Sequence, residues 1–265
     1  MKKRIYPHHQ YGIDNLVRTY KNNPQFQGII IGGSIAKGLA RPDSDVDFMI
    51  IVTDEEYQKR AQQGDLFINR KDLTNYPNGF VDGKIINLAY LTEVAKKGNE
   101  PTRAAFDGAF IGYSRIEGLE QLMEAISTYP ESSRTEKLRT FYSMSFIQNW
   151  LMGEAQRHDN LYTRSRAASQ LVLFAGRLIL AYNRLFFPYH KWFYAYLDKC
   201  LEKPAGLIEQ MNTLLETPNA QHAETLFESV KAFHDWGVTD LEAFSWFMQD
   251  VEWAWMRDQA SLEDW

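Results

Sequence analysis

Two short apolar runs, joined by a glycine turn and an acidic pair, constrain the fold of this chain more than any other feature. The run Gly28–Ile31 leads into Gly32–Ser34, and a second run, Phe48–Val52, directly follows Asp45 and Asp47. Side chains alternate along a strand, so residues two apart point to the same face of a sheet. We therefore predict that the carboxylates of Asp45 and Asp47 lie side by side at the start of the second strand.

Paired carboxylates beside a glycine turn favour one kind of chemistry. Two neighbouring carboxylates repel each other, and a divalent cation such as Mg²⁺, which prefers oxygen ligands, offsets that repulsion. Glycines let the backbone approach a bulky anion, and Ser34 adds a hydroxyl near a helix start, where N–H groups can bind phosphate. The alternative is a glycine-rich turn followed by a solvated acidic loop. The pattern favours phosphoryl or nucleotidyl transfer, because the acidic pair continues directly into an apolar strand.

The same residues resemble the signature of a known superfamily. Gly33-Ser34, ten intervening residues and Asp45-Val46-Asp47 are similar to the motif of the nucleotidyltransferases, which include DNA polymerase β and the antibiotic nucleotidyltransferases. No Gly-Lys-Ser/Thr follows the glycines, so the turn is not a P-loop. The resemblance implies transfer of a nucleoside monophosphate from a nucleoside triphosphate such as ATP. It also implies two Mg²⁺ ions about 4 Å apart, both ligated by Asp45 and Asp47.

The resemblance further implies a third carboxylate on a neighbouring strand, as a metal ligand or general base. Asp82, within the apolar segment 80–91, is the best-placed candidate. Strand alternation would put Lys84 on the same face, where it could meet a phosphate. Because Gly83 stands where a strand more often has an apolar residue, Asp82 capping a turn is the alternative. Asp65 and Asp72 are competing candidates for the third carboxylate.

Several other residues are candidates for binding the triphosphate. We expect Ser34 and the amides near Gly33 to hold the terminal phosphates, with added positive charge from Lys37 and Arg41. Arg103, early in a helix that begins near Pro101, could also reach a phosphate. A solvated surface position is the alternative for Lys37 and Arg103. His8 and His9 are predicted to be exposed to solvent.

Composition divides the chain near residue 130. With 265 residues and 45% apolar content, one large domain or two modest ones are expected. We predict a nucleotidyltransferase catalytic domain over 1–130 and a helical substrate-binding domain over 131–265, where every tryptophan of the chain lies. The fold class is α+β, with a small mixed sheet and helices of the nucleotidyltransferase type, followed by an all-α helical bundle.

Periodicity predicts the main elements of the first domain. The predicted helices are residues 10–21, a short one after Gly33, and residues 55–63. The predicted strands are residues 27–31, residues 46–52 and one within residues 80–91.

Charge and cysteine content restrict the partners. The formal net charge of −5 argues against a wide phosphate-backbone footprint, so nucleic acid is a disfavoured partner and a small-molecule acceptor fits better. The single cysteine, Cys200, and an amino terminus without a signal-peptide pattern fit a cytoplasmic protein. The long apolar segment 167–188 is interrupted by polar residues, so no membrane span is predicted. A homodimer is compatible with these features.

Two classes of function follow. The first is a Mg²⁺-dependent nucleotidyltransferase that acts on a hydroxyl of a small molecule, with antibiotics among the acceptors that the resemblance implies. The second is a nucleotide-binding regulatory or antitoxin-like protein of the same fold with little turnover. An enzyme that modifies protein or RNA is a third interpretation, which the acidic balance disfavours.

Overall fold

The structure, a computed structural model, describes residues 5–257. The chain divides into two compact units, Met1–Thr128 and Tyr129–Trp265. The first is an α+β unit and the second is helical throughout the part that the structure describes. The predicted fold class is confirmed.

A five-stranded mixed sheet forms the centre of the first unit. Its strands in chain order are β1 (Phe26–Ile31), β2 (Val46–Val52), β3 (Phe67–Arg70), β4 (Val81–Asn87) and β5 (Phe110–Ser114). The order across the sheet is β3-β4-β2-β1-β5. β2 and β4 are parallel neighbours, and the other three pairs are antiparallel. The sequence analysis predicted β1, β2 and β4 but not the two edge strands.

Six helices complete the first unit: α1 (Pro7–Tyr20), α2 (Gly33–Lys37), α3 (Asp54–Gln63), α4 (Leu88–Lys97), α5 (Glu100–Ala104) and α6 (Leu119–Ser127). Side-chain caps start three of them. Thr53, Asn87 and Asn99 each accept a backbone N–H of the helix that follows, and such caps satisfy donors that the first turn leaves unpaired. Pro7 opens α1 three residues earlier than periodicity predicts, since proline suits the first helical position.

The sheet separates two apolar cores. On one face, Val46 and Val81 pack in a cluster with Ile13 and Leu16 of α1. On the other face, Ile51 belongs to a second cluster, whose helical members come from α4 and α6. Because side chains alternate, residues at odd positions of β2 and at even positions of β4 share this second face.

The second unit is built around two long helices. Its helices are α7 (Arg134–Arg157), α8 (Leu161–Tyr182), α9 (Phe193–Lys199), α10 (Leu207–Glu216), α11 (Ala220–Phe233) and α12 (Asp240–Phe247). Tyr142 of α7, Phe174 of α8 and Met211 of α10 belong to one continuous buried cluster. Over residues 5–257, no helix combines the length and the apolar character that a membrane span requires.

Candidate active site

Three carboxylates converge at the start of two parallel strands. Asp45 immediately precedes β2, Asp47 is its second residue, and Asp82 is the second residue of β4. The parallel register pairs Asp47 directly with Asp82. One carboxylate oxygen from each of the three residues lies within 4.8 Å of the others. The side chains are half-buried on the sheet face opposite α1, as the alternation with Val46 and Val81 requires.

Gly83 lies within strand β4 and not in a turn. A Cβ atom built on Gly83 would overlap the carbonyl oxygen and the ring of Phe48 on the neighbouring strand. Glycine is therefore needed for β4 to approach β2 this closely at the level of Asp82.

The two competing acidic candidates are engaged elsewhere. Asp65 forms an ion pair with Arg60 at 2.7 Å, and Asp72 accepts two hydrogen bonds from Arg70. The bond from Arg70 lowers the pKa of Asp72 below its usual range. The structure thus groups Asp82, and neither competitor, with Asp45 and Asp47.

Gly33 lies directly against the carboxylate of Asp47. It has a φ of +59°, and a Cβ built on it would overlap the Asp47 side chain. The preceding Gly32 N–H donates to the carbonyl oxygen of Asp47 at 3.0 Å. The glycine turn and the acidic pair, separate in the sequence, therefore form one continuous surface.

Ser34 is the second residue of α2, and its side chain is buried. The residue is only 5% exposed, and its Oγ makes no hydrogen bond with any group in residues 5–257. A buried hydroxyl without a partner is destabilising. Such a cost is typical of a group kept for a ligand.

The acidic cluster fits a hard divalent cation. Magnesium ligands lie about 2.1 Å from the ion, so oxygens bound to one ion are about 3–4 Å apart. Carboxylate oxygens within 4.8 Å of one another reach that spacing by small side-chain rotations. Asp45, Asp47 and Asp82 are therefore the residues that could hold a metal ion here.

The basic residues that were predicted to contact phosphate lie in three different environments. The Lys37 ammonium donates to the carbonyl oxygen of Ala104 at the end of α5. Lys84 is exposed on β4, two residues after Asp82. Arg41 is exposed and forms an ion pair with Asp43 at 3.2 Å. Phosphate binding by these three residues stays a prediction.

Arg103, predicted to reach a phosphate, is buried and contacts backbone carbonyl groups. It is 7% exposed, and its guanidinium donates to the carbonyl oxygens of Gly98, Ala95 and Ile126 at 3.1, 2.7 and 3.2 Å. Burial lowers the pKa of this guanidinium. Arg103, in α5, therefore links this helix to α4 and α6.

The sequence analysis missed a group of rings behind the loop that precedes Asp45. His9 is fully buried, so the prediction of solvent exposure was wrong for this residue. His8 and His9 pack against Tyr76, with ring centroids 4.5 and 5.5 Å from it. The signal was present in the helical spacing, since His9 lies four and seven residues before Ile13 and Leu16 on the buried face of α1.

Comparison with known proteins identifies the class. Residues 14–90, which include the glycine turn and all three carboxylates, match the family described as nucleotidyltransferase domain. Residues 14–90 therefore form a nucleotidyltransferase domain.

Among solved structures, the chain matches a nucleotidyltransferase-like protein from Exiguobacterium sibiricum 255-15. That match has a TM-score of 0.47 and 13% sequence identity, and it covers 94% of this chain and 79% of the other. No curated protein matches the sequence.

Proposed function

We propose that the protein transfers a nucleoside monophosphate from a nucleoside triphosphate to a hydroxyl of a small-molecule acceptor, in a Mg²⁺-dependent reaction. One observation carries this proposal. Asp45, Asp47 and Asp82 hold carboxylate oxygens within 4.8 Å of one another, and the Gly33 backbone lies against Asp47. A nucleotidyltransferase needs cation ligands and a phosphate-binding turn at one place, and these residues supply both.

Each residue has a distinct part in this mechanism. The acceptor oxygen attacks the α-phosphorus, the bond between the α-phosphorus and the bridging oxygen breaks, and pyrophosphate leaves. Asp45 and Asp47 would ligate two ions and Asp82 one of them. Mg²⁺ held by these residues would supply positive charge to neutralise the triphosphate and polarise the attacking oxygen. Asp82, within reach of the same centre, is also the candidate to take the acceptor proton.

The phosphates would lie over the turn before α2. There the backbone at Gly33 permits a close approach of the ligand, and the buried Ser34 hydroxyl would donate to a phosphate oxygen. Lys37 and Lys84 would add positive charge at the rim. Arg103 is not assigned to this binding, because its guanidinium donates to backbone carbonyl groups.

The helical unit, Tyr129–Trp265, is the proposed substrate-binding domain. A net charge of −5 favours a small acceptor over a nucleic acid, and an antibiotic is one such acceptor. The single cysteine, Cys200, fits a cytoplasmic protein. A third carboxylate beside Asp45 and Asp47, that of Asp82, supports the catalytic interpretation over the regulatory alternative.

Calorimetry with ATP and the other nucleoside triphosphates, with and without Mg²⁺, tests the site. We expect metal-dependent binding that Asp45→Asn combined with Asp47→Asn abolishes. Asp43→Asn is the matched control, because Asp43 is exposed two residues earlier and pairs with Arg41. Metal-dependent binding that survives in the double variant would rule out this site.

A second measurement separates an enzyme from a binding protein. Pyrophosphate release is followed with a panel of hydroxylated acceptors, including aminoglycosides and lincosamides. An acceptor that raises release above background identifies the substrate class. Release at background with every acceptor, despite metal-dependent triphosphate binding, would favour the regulatory alternative.

A further inference from the structure

A cluster of four rings packs behind the acidic site, at the amino-terminal end of α1. Tyr6, His8, His9 and Tyr76 form this ring cluster, and its ring centroids lie 4.4–5.5 Å apart in contacting pairs. The proposed chemistry uses none of them. Aromatic and imidazole rings in such contact form a rigid support, because they have few rotatable bonds.

Two members of the ring cluster hold the loop that leads into Asp45. The His8 Nε2 atom lies 2.8 Å from the carbonyl oxygen of Pro42, and the Tyr76 hydroxyl donates to the carbonyl oxygen of Ser44 at 2.7 Å. A carbonyl oxygen only accepts, so Nε2 of His8 carries the proton. The loop is also closed on itself, since the Arg41 N–H donates to Ser44 Oγ at 2.9 Å.

The segment that contains Tyr76 forms hydrogen bonds with the backbone on both sides of Asp45. Tyr76 binds the carbonyl group of Ser44, and the carbonyl oxygen of Phe80 accepts the Val46 N–H at 3.2 Å. The same segment continues into β4 and Asp82. Two ligands of the proposed metal site are therefore tied together by residues 76–82.

His9 packs against Tyr76 in a fully buried position. Burial, the largest effect, and the neighbouring His8 lower the pKa of His9, although the backbone of Ser44 and the charge of Asp45 oppose this shift. Gly79 provides room on the other side, since a Cβ built there would lie 2.6 Å from the Tyr76 ring. The ring of Tyr76 thus lies against His8, His9 and the Gly79 backbone.

We propose that Tyr76 is a positioning residue of the active site: its hydroxyl, supported by His8 and His9, fixes the backbone at Ser44 and so directs the carboxylate of Asp45 towards Asp47 and Asp82. This inference rests on the proposed function, because it assigns a role within the same metal site. Tyr76 is not one of the three residues that would hold the metal ion. The bond from Tyr76 restricts the motion of Asp45 before a cation binds, so that less conformational freedom is lost on binding.

Replacing Tyr76 with phenylalanine tests the role with little disturbance. The ring contacts remain, and only the bond to the Ser44 carbonyl is lost. Tyr113→Phe is the matched control, because its hydroxyl also donates to a backbone carbonyl, that of Lys21 at 3.3 Å, on the edge strand β5. We measure Mn²⁺ affinity by calorimetry, the Mg²⁺ concentration for half-maximal turnover, and the melting temperature.

The expected result is a change in metal dependence and not in fold. Tyr76→Phe should weaken Mn²⁺ binding about tenfold, as the loss of a support behind a metal ligand does, while its melting temperature matches that of Tyr113→Phe. Saturating Mg²⁺ should restore kcat, since the ligands themselves are intact. Backbone amide exchange over residues 40–48 should be faster than in the control variant.

Two outcomes would overturn the inference, and they are distinguishable. Mn²⁺ affinity and amide exchange in Tyr76→Phe that equal those of Tyr113→Phe would reject the positioning role and leave the proposed function intact. A wild-type protein that binds no Mn²⁺, with or without a nucleoside triphosphate, would reject the proposed function and this inference with it.

Discussion

The backbone of Gly33, the first residue of α2, lies directly against the carboxylate of Asp47. An added Cβ would overlap that carboxylate, and the φ of +59° is one that side-chain-bearing residues rarely adopt. The two constraints have separate consequences, since one concerns backbone strain and the other concerns the acidic site. A second glycine, Gly38 at the carboxyl end of α2, distinguishes the two effects.

Gly33→Ala should abolish metal-dependent triphosphate binding, whereas Gly38→Ala should not. Gly38 has a φ of +71° and nothing within 4 Å of its added Cβ, so it shares only the strain. Both substitutions should lower the free energy of unfolding by about 1–2 kcal/mol. Urea denaturation and calorimetry measure the two effects. Equal triphosphate binding in both variants would show that Asp47 tolerates displacement.

Ser34→Ala should weaken triphosphate binding without loss of stability. The Ser34 hydroxyl is buried and has no hydrogen-bond partner within residues 5–257, so its removal relieves a desolvation cost. A lost bond to a charged phosphate should raise KM by about tenfold or more.

Ser143→Ala is the control for Ser34→Ala. The Ser143 hydroxyl is also buried but donates to the carbonyl oxygen of Arg139 at 2.9 Å. Its loss should reduce the free energy of unfolding by about 1 kcal/mol. A lower melting temperature in Ser34→Ala, with unchanged KM, would make Ser34 a structural residue.

Asp82→Asn should lose turnover and keep its fold. Asparagine preserves the shape of the side chain but removes a negative charge from the cluster and the capacity to take a proton. We expect kcat to fall by about 100-fold or more. Asp65→Asn, which alters an acidic residue paired with Arg60, should leave kcat unchanged. Circular dichroism checks the fold, and retained turnover in Asp82→Asn would remove it from the mechanism.

Arg103→Met should destabilise the protein and leave the kinetics of the folded fraction unchanged. Four backbone carbonyl groups lose a charged donor in a buried position, which should cost about 3 kcal/mol. Arg115→Met is the control, because Arg115 is exposed and also donates to a carbonyl, that of Lys21. Chemical denaturation and KM for the triphosphate distinguish the roles. A raised KM for the triphosphate, with unchanged stability, would assign Arg103 to the triphosphate-binding site.

Cys200 should react with thiol reagents only slowly in the folded protein. Burial raises the pKa of its thiol from 9.0 to about 11, so the reactive thiolate is scarce at neutral pH. The folded protein holds the thiol proton more tightly than the unfolded chain does. The resulting stabilisation is complete below pH 9 and is lost as the pH rises towards 11. The melting temperature of the wild type should therefore fall relative to Cys200→Ala over this range. Rapid alkylation at pH 7 would contradict the burial.

Periodic apolar segments made the inner strands predictable. β1 and β2 are rich in isoleucine and valine and are buried over most of their length, so their pattern in the sequence is strong. β3 and β5 lie at the two edges of the sheet, where no residue is fully buried. Their weak pattern follows from half-exposure, since edge strands need no continuous apolar side.

Local sequence alone determined the part of the site whose residues lie close together in the chain. Strand alternation brought Asp45 and Asp47 together, and the glycine turn before α2 was evident from its residues. Only the tertiary structure decided which distant groups join them. The parallel register of β2 and β4 placed Asp82 beside Asp47, and the packing of α4, α5 and α6 buried Arg103 against backbone carbonyl groups. Packing on α1 placed His9 behind the site. The physical reason is that register and burial depend on contacts between residues far apart in the chain, which local periodicity does not encode.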